Sequence, residues 1–281
     1  MKITRREWTS LAAAAALAGR ARAQEKEEKA EAPAMIDKPD GGFQFLKGVG
    51  PYSSGAVASP GYEVVHAIFR PLPPLWAAFG LIEKHLESIE RTPHALCGME
   101  LRIPKALSAE GFSEFNEPYI ERLKQWETHV DGLNPVARTN VALEVNPVRE
   151  PSVYGFSYTI PSEYKGKTFV VAGAGELTSS ALDSIVARGD TSPEGVQKKV
   201  AQVLSEMEER LQTMSCGWAD VTQSNIYTVH DIYPLMESTI LPGLHEANRH
   251  GVRWHYARPP VLEIEFEMDL RGVRDEIIVP G

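Results

Sequence analysis

Residues 193–214 read PEGVQKKVAQVLSEMEERLQTM, and this stretch decides the fold prediction. Its apolar residues recur at spacings of three and four, which places them on one face of a helix. They are Val196, Val200, Val203, Leu204, Met207, Leu211 and Met214. Pro193 opens the stretch and Gly217 follows it, which are the positions that these residue types favour at helix ends. A long amphipathic helix is therefore predicted, and it must cover an apolar layer.

The same order of elements is found earlier in the chain. A first amphipathic helix follows Pro73-Pro74 and ends near Pro93, and its apolar face comprises Leu75, Phe79, Ile82, Leu86 and Ile89. After each helix come a strand-like segment (95–103 and 221–229), a second helix (113–128 and 234–248) and an Ala-Arg pair that leads into a strand. The corresponding elements are offset by about 120 residues, which predicts an internal duplication.

Apolar β-like sequence precedes each first helix, at 62–69 and 169–172. Each half therefore reads β-β-α-β-α-β. A unit of this size needs two layers to bury its core. We therefore predict an α+β fold of two tandem units, 48–150 and 151–281, each a mostly antiparallel sheet covered by two helices on one face.

The N-terminus has the features of an export signal. A twin-arginine pair, Arg5-Arg6, precedes a short apolar run and an A-x-A site at 21–23. Residues 1–23 are predicted to be a Tat-type signal peptide, which implies a periplasmic or extracellular location. The alternative is a short helix or membrane anchor, but the apolar run is shorter than the ~20 residues of a spanning helix. Residues 24–47, charged and rich in Ala and Pro, are predicted to be a flexible leader.

Charge and cysteine content limit the partners. The whole chain has a net charge of −9, and the signal carries five cations and one anion, so the mature chain would carry −13. An acidic surface repels phosphate backbones and argues against a nucleic-acid partner. Cys97 and Cys216 are the two cysteines. A disulfide is possible in an oxidising compartment, but two buried free thiols are the favoured interpretation.

Several short motifs resemble the RidA/YjgF family, also called L-PSP endoribonucleases or enamine/imine deaminases. They are residues 50–53 (GPYS), 112–119 (FSEFNEPY), 137–138 (AR), 171–176 (VAGAGE), 256–261 (YARPPV) and 264–267 (IEFE). The resemblance implies trimers with clefts between neighbouring units, and hence a homotrimer of tandem units here. It also implies an arginine that grips a substrate carboxylate and a glutamate that positions water.

The resemblance assigns these roles to particular residues. Arg138 and Arg258 match the arginine, Glu265 the glutamate, and Tyr52 and Asn116 the site tyrosine and asparagine. A planar guanidinium suits carboxylate capture, and an ordered water needs an acceptor. The alternative for each arginine is an ion pair at the surface or between the domains.

The acids around Glu265 have an alternative role as well. The strand predicted at 262–270 places Glu263, Glu265, Glu267 and Asp269 on one face, and such a row is equally typical of a solvated surface. Each unit holds an incomplete set of site residues. The set is either completed across a shared cleft or has decayed into binding pockets.

The leading functional hypothesis is hydrolytic deamination of a small 2-imino or 2-enamino acid, without a metal or an organic cofactor. Its ligand would be a small carboxylate-bearing molecule. The alternatives are a non-catalytic carboxylate-binding or scaffold protein and, disfavoured by the charge, an endoribonuclease. The histidines show no metal-ligand spacing.

Overall fold

The computed structural model describes residues 34–48, 50–179 and 181–281. In chain order the elements are β1 Met35–Lys38, β2 Phe43–Leu46, β3 Gly55–Ala58, β4 Tyr62–Arg70, α1 Leu75–Ser88, β5 Leu96–Ile103, α2 Ala109–Gln125, β6 Ala137–Leu143, β7 Ser152–Pro161, β8 Phe169–Gly175, α3 Pro193–Thr213, β9 Gln223–Tyr227, α4 Leu241–Gly243, β10 Arg253–His255, β11 Ala257–Arg258, β12 Glu267–Gly272 and β13 Glu276–Pro280. Short 3-10 or π turns lie at Pro93–Ala95, Leu182–Ser184, Trp218–Asp220, Tyr233–Leu235, Met236–Ile240 and His245–His250.

The strands form two mixed sheets. Sheet A has seven strands in the order β1-β2-β3-β8-β12-β9-β10, and sheet B has six in the order β11-β6-β5-β7-β4-β13. Both sheets take strands from both halves of the chain, since β3 pairs with β8 and β13 pairs with β4. The prediction of two tandem units, each with a sheet of its own, is therefore wrong. The two halves share a similar order of elements and similar apolar patterns in their first helices. Their strands, however, are distributed over both sheets.

Helices cover the outer face of each sheet. The apolar stripe of α3 packs with Phe169 and Leu270 of sheet A. The stripes of α1 and α2 pack with Leu101 and Phe156 of sheet B. Between the sheets lies a smaller apolar cluster, which includes Phe45 of β2, Val64 of β4, Cys97 of β5, Ala137 of β6 and Val170 of β8. Because the two sheets meet face to face, polar side chains on their inner faces can reach across.

The first helix of each half is confirmed. α1 buries Leu75, Phe79, Ile82 and Leu86, and α3 buries its stripe from Val196 to Leu211. The continuous helix predicted at 234–248 is wrong, because this segment is a series of short turns with α4 among them. Pro242 and Gly243 explain the interruption, since proline lacks an amide donor and glycine weakens a helix.

The predicted signal, 1–23, lies outside the described residues. Part of the predicted leader is ordered, because 35–46 contains the hairpin of β1 and β2. Phe43 and Phe45 of that hairpin are fully buried and Lys38 is 1% exposed, so the hairpin is an integral edge of sheet A. Within the described ranges, no helix has the length and apolar content to cross a membrane.

The strand predicted at 262–270 starts later than expected. Glu263 adopts a left-handed backbone conformation in a turn, with φ of 76°. The ladder begins only at Glu267, where β12 pairs with β8 and β9. Of the four acids predicted to share one face, Glu267 and Asp269 belong to β12, while Glu263 and Glu265 lie in the preceding segment.

Candidate active site

Arg138 of β6 is the centre of the candidate site and is 3% exposed. Its Nη2 donates a hydrogen bond to Asn116 Oδ1 at 2.6 Å. Its guanidinium carbon lies 4.7 Å from the ring centres of both Tyr52 and Tyr119. Nε and Nη1 are enclosed and have no hydrogen-bond partner in the described part of the chain. A buried cation with free N–H donors is costly, so this arrangement suits an anionic ligand that accepts from them.

Backbone contacts hold Tyr52 beside the start of β6. The amide of Ser53 donates to Val136 O at 3.1 Å, and Asn134 Nδ2 donates to Pro51 O at 2.8 Å. These bonds fix the segment before β3 against the segment that leads into Arg138. Burial raises the pKa of Tyr52, so its phenol stays protonated and can donate a hydrogen bond.

Helix α2 supplies the other side of the Arg138 pocket. The helix is capped by Ser108, whose side chain accepts from Gly111 N at 3.1 Å. Asn116 and Tyr119 are three residues apart and so lie on one helical face. Phe112, one turn earlier, places its ring 5.5 Å from the guanidinium. One face of α2 therefore contributes the hydrogen-bond acceptor and two of the rings that surround Arg138.

Glu267 of β12 brings a carboxyl group to the site from sheet A. It is 5% exposed. A side chain on Gly173 would overlap the Glu267 carboxyl, so this glycine provides the room that it occupies. Burial, together with the charges of Asp269 and Glu176, raises the pKa of Glu267 well above its ordinary value despite the opposing effect of Arg138. A carboxyl with a raised pKa keeps its proton to higher pH and is suited to act as a proton donor.

Asp269 links the strands that carry Arg138 and Glu267. Thr139 Oγ1 donates to Asp269 Oδ2 at 2.6 Å and accepts from Gly173 N at 3.1 Å. Asn225 Nδ2 and Tyr227 OH also donate to Asp269, at 2.7 and 2.9 Å. Because Asp269 is fully buried and Thr139 adjoins Arg138, these bonds fix β6 against β8 and β12. The position of Arg138 relative to Glu267 is thus set by a buried network.

A buried ion pair fixes the segment before β12. Lys199 Nζ lies 3.1 Å from Glu176 Oε1, and both side chains are fully buried. Glu176 also accepts from the amides of Glu265 and Phe266, at 2.7 and 3.0 Å. These bonds hold the backbone immediately before Glu267 and explain why the β12 ladder starts there.

The comparisons with known proteins identify the family. The family described as 2-aminomuconate deaminase CnbZ matches residues 35–277. The chain belongs to this family. A 2-amino-5-chloromuconate deaminase from Comamonas testosteroni is 39% identical over 251 residues, which cover 88% of this chain and 99% of that protein. The crystal structure of a chorismatase aligns with 85% of this chain and 80% of its own, with 11% identity and a TM-score of 0.45.

Membership of the CnbZ family corrects the resemblance drawn from short motifs. The assignment to the RidA/YjgF/L-PSP family is wrong, because the matched family spans nearly the whole described chain and is a different one. The coarser prediction, a deaminase, agrees with both the family and the relative. Motifs of a few residues, such as the Ala-Arg pairs, are too short to distinguish one deaminase family from another.

Three of the five predicted site residues lie together in this CnbZ-family protein: Tyr52, Asn116 and Arg138. Arg258 lies elsewhere, with Nε and Nη2 donating to the Glu144 carboxylate at 2.7 and 3.1 Å. Both side chains of that pair are more than a third exposed, at 42% and 37%. Arg258 therefore has the surface ion pair that was the alternative interpretation.

Glu265 also lies apart from Arg138. Its Oε2 is 2.8 Å from His230 Nε2, and both side chains are 20% exposed. The glutamate that interacts electrostatically with Arg138 is Glu267, two residues later. The sequence predicts Glu267 only as one member of the row of acids on the strand 262–270 and assigns it no part in the site. Tyr119 was missed too, although its position one turn after Asn116 predicts a shared helical face.

Within the described ranges no group of three or more His, Cys, Asp or Glu side chains is arranged to hold a metal ion. Cys97 and Cys216 are buried free thiols, as predicted. Burial raises the pKa of the Cys216 thiol to about 12, and raises that of Cys97 as well. Neither thiol is therefore an activated nucleophile.

Proposed function

We propose that the protein hydrolyses 2-aminomuconate, or a substituted 2-aminomuconate, to the 2-oxo acid and ammonia in the pocket of Arg138 and Glu267. The substrate class comes from the family and from the relative of Comamonas testosteroni. The observation that carries the proposal is the buried Arg138 guanidinium with two nitrogens that lack a partner in the described part of the chain. It interacts electrostatically with Glu267, a buried acid whose pKa is raised well above its ordinary value.

Arg138 is suited to bind the carboxylate attached to C2. Its free N–H groups offer charge-assisted hydrogen bonds in a site from which water is largely excluded. Asn116 holds the guanidinium through Nη2. The rings of Tyr52 and Tyr119 fix its plane. The carboxylate is thereby oriented before the chemical step, so little reorganisation is required.

Glu267 is suited to carry each proton transfer. Its protonated carboxyl gives a proton to a carbon of the conjugated chain, which converts the 2-amino group into an iminium. The resulting carboxylate takes a proton from the water that attacks C2, and the C–O bond forms. Glu267 then protonates the amine nitrogen, the C–N bond breaks, ammonia leaves, and the hydroxyl proton returns to Glu267 as the carbonyl forms. One water is consumed and one ammonia released, and Glu267 ends protonated.

The two arginines of the Ala-Arg pairs provide a matched test. Arg138→Ala should lower kcat/KM for 2-aminomuconate by about 100-fold or more, because it removes charge-assisted bonds to the carboxylate. Arg258→Ala should retain nearly wild-type activity, because its partner Glu144 is exposed. The decay of substrate absorbance and the release of ammonia would be measured for purified wild type and both variants.

Two results would contradict the proposal. Equal activity of Arg138→Ala and wild type would remove Arg138 from the site. Wild-type protein that binds cis,cis-muconate, a dicarboxylate without the amino group, but releases no ammonia from 2-aminomuconate would instead support the non-catalytic carboxylate-binding alternative.

A further inference from the structure

Asn140 is a buried amide without a hydrogen-bond partner. It is 3% exposed, and both Oδ1 and Nδ2 lack a partner among the described residues. Burying an amide in this state costs stability, so native proteins rarely retain one without a reason. An apolar side chain of the same size would be expected here on stability grounds alone.

The position of Asn140 associates it with the Arg138 pocket. Both residues lie on β6, two positions apart, so their side chains point to the same face of sheet B and are about 7 Å apart along the strand. Their partners in register on β5 are Met99 and Leu101, which belong to the apolar core. The partnerless atoms of Arg138 and Asn140 therefore form one polar row within an otherwise apolar face.

We propose that Asn140 is a second substrate-contacting residue, whose Oδ1 accepts a hydrogen bond from the 2-amino group. This inference rests on the proposed function. In 2-aminomuconate the carboxylate and the amino group are attached to neighbouring carbons, and Arg138 and Asn140 offer neighbouring sites of matching chemistry, cationic donors and a neutral acceptor. The amide oxygen would therefore select an N–H donor at C2.

The same contact should assist the reaction as well as binding. When the amino group becomes an iminium, its N–H groups carry positive charge and hydrogen-bond more strongly to the amide oxygen. An interaction that strengthens along the reaction path lowers the barrier and raises kcat. Loss of Asn140 should therefore reduce kcat and not only raise KM.

The test compares Asn140→Leu with Ser224→Ala. Both variants remove a buried, partnerless polar side chain, but Ser224 lies on β9 in sheet A, away from the pocket. Asn140→Leu should lower kcat/KM for 2-aminomuconate by about 10- to 100-fold. Its melting temperature should equal or exceed that of the wild type, because no native hydrogen bond is lost. Ser224→Ala should retain wild-type kinetics.

Inhibition by cis,cis-muconate separates the two contacts. The inhibition constant should be unchanged in Asn140→Leu, since muconate has no amino group, and should rise in Arg138→Ala. Wild-type kinetics in Asn140→Leu would overturn the inference and leave the proposed function intact. A loss of activity in Asn140→Leu that is accompanied by a loss of stability would have the same meaning. Wild type that releases no ammonia from 2-aminomuconate would overturn both.

Discussion

At the scale of single residues, the site depends on burying a cation on β6 and an acid on β12. Arg138 is held by Asn116 and two tyrosine rings. Burial and nearby carboxylates disfavour the charge of Glu267 and raise its pKa well above the ordinary value. Each group is costly to bury alone. Both are therefore expected to lower the stability of the ligand-free protein.

Glu267→Gln tests whether Glu267 lowers the stability of the protein while it supports the reaction. The raised pKa means that wild type loses stability as pH rises from the ordinary glutamate value of about 4.3 towards the folded-state pKa. The neutral amide avoids this loss, so the variant should be about 1 to 3 kcal/mol more stable than wild type near pH 7 and equal to it near pH 4. Urea unfolding at the two pH values gives the comparison.

The activity of Glu267→Gln should fall about 100-fold or more, because glutamine cannot transfer the proton. Glu265→Gln is the matched control, since that residue pairs with His230 outside the Arg138 pocket. Wild-type turnover itself should decline as pH rises through the folded-state pKa of Glu267. Substantial activity in Glu267→Gln would assign the proton transfers to another group.

At the scale of elements, α2 is the helix that carries site residues, and α3 is a helix of sheet A that begins in the same way. Each is capped by a serine with the same geometry: Ser108 accepts from Gly111 N, and Ser192 accepts from Gly195 N, both at 3.1 Å. The caps fix the first turns, and in α2 the face of about two turns from Phe112 to Tyr119 follows from that start.

The two caps therefore give a paired prediction. Ser108→Ala and Ser192→Ala should each lower the free energy of unfolding by about 1 kcal/mol. Only Ser108→Ala should also raise KM for 2-aminomuconate, because α2 contributes Asn116 and Tyr119 to the Arg138 pocket. Denaturant unfolding and steady-state kinetics on the two variants would check it. Equal kinetics in both would show that the α2 residues are positioned independently of the cap.

The helices α1, α2 and α3 and several of the strands could be predicted from the sequence, because their apolar patterns are local. The periods of α1 and α3, and the caps around them, are contained within single segments. The pairing of β3 with β8 and of β13 with β4 could not be predicted, since it joins residues far apart in sequence. The site position of Glu267 could not be predicted for a related reason: the bonds that delay the start of β12 are long-range, and the amides of Glu265 and Phe266 donate them to Glu176.

At the scale of the whole molecule, Glu276 joins the two sheets. It lies on β13 of sheet B beside β4, where His66 Nδ1 is 2.9 Å from its Oε2. From sheet A, Gln223 donates to it at 2.5 Å and Arg253 at 3.2 Å. The hydrogen bond with His66 is the main cause that lowers the pKa of Glu276. Burial alone would lower the pKa of His66, but its contacts with Glu100 and Glu276 outweigh burial and raise the pKa.

These shifts predict a pH window. The lowered pKa of Glu276 contributes stability that is present above about pH 4.3 and is lost as pH falls. The raised pKa of His66 contributes stability that is present below about pH 6.5 and is lost as pH rises. Glu276→Gln should therefore destabilise the protein most between these values, by about 1 to 3 kcal/mol. Melting curves across this range, with Glu144→Gln as an exposed control that changes stability by at most about 0.5 kcal/mol, would test it. A loss independent of pH would contradict the linkage.

The parallel pairing of β13 with β4 has a consequence for how the chain is made. During synthesis β4 emerges from the ribosome well before β13, because residues 71–275 lie between them. The edge of β4 that pairs with β13 therefore remains without this partner until β13 has been synthesised. Completion of sheet B, and of the contact of Glu276 with His66, has to wait for β13.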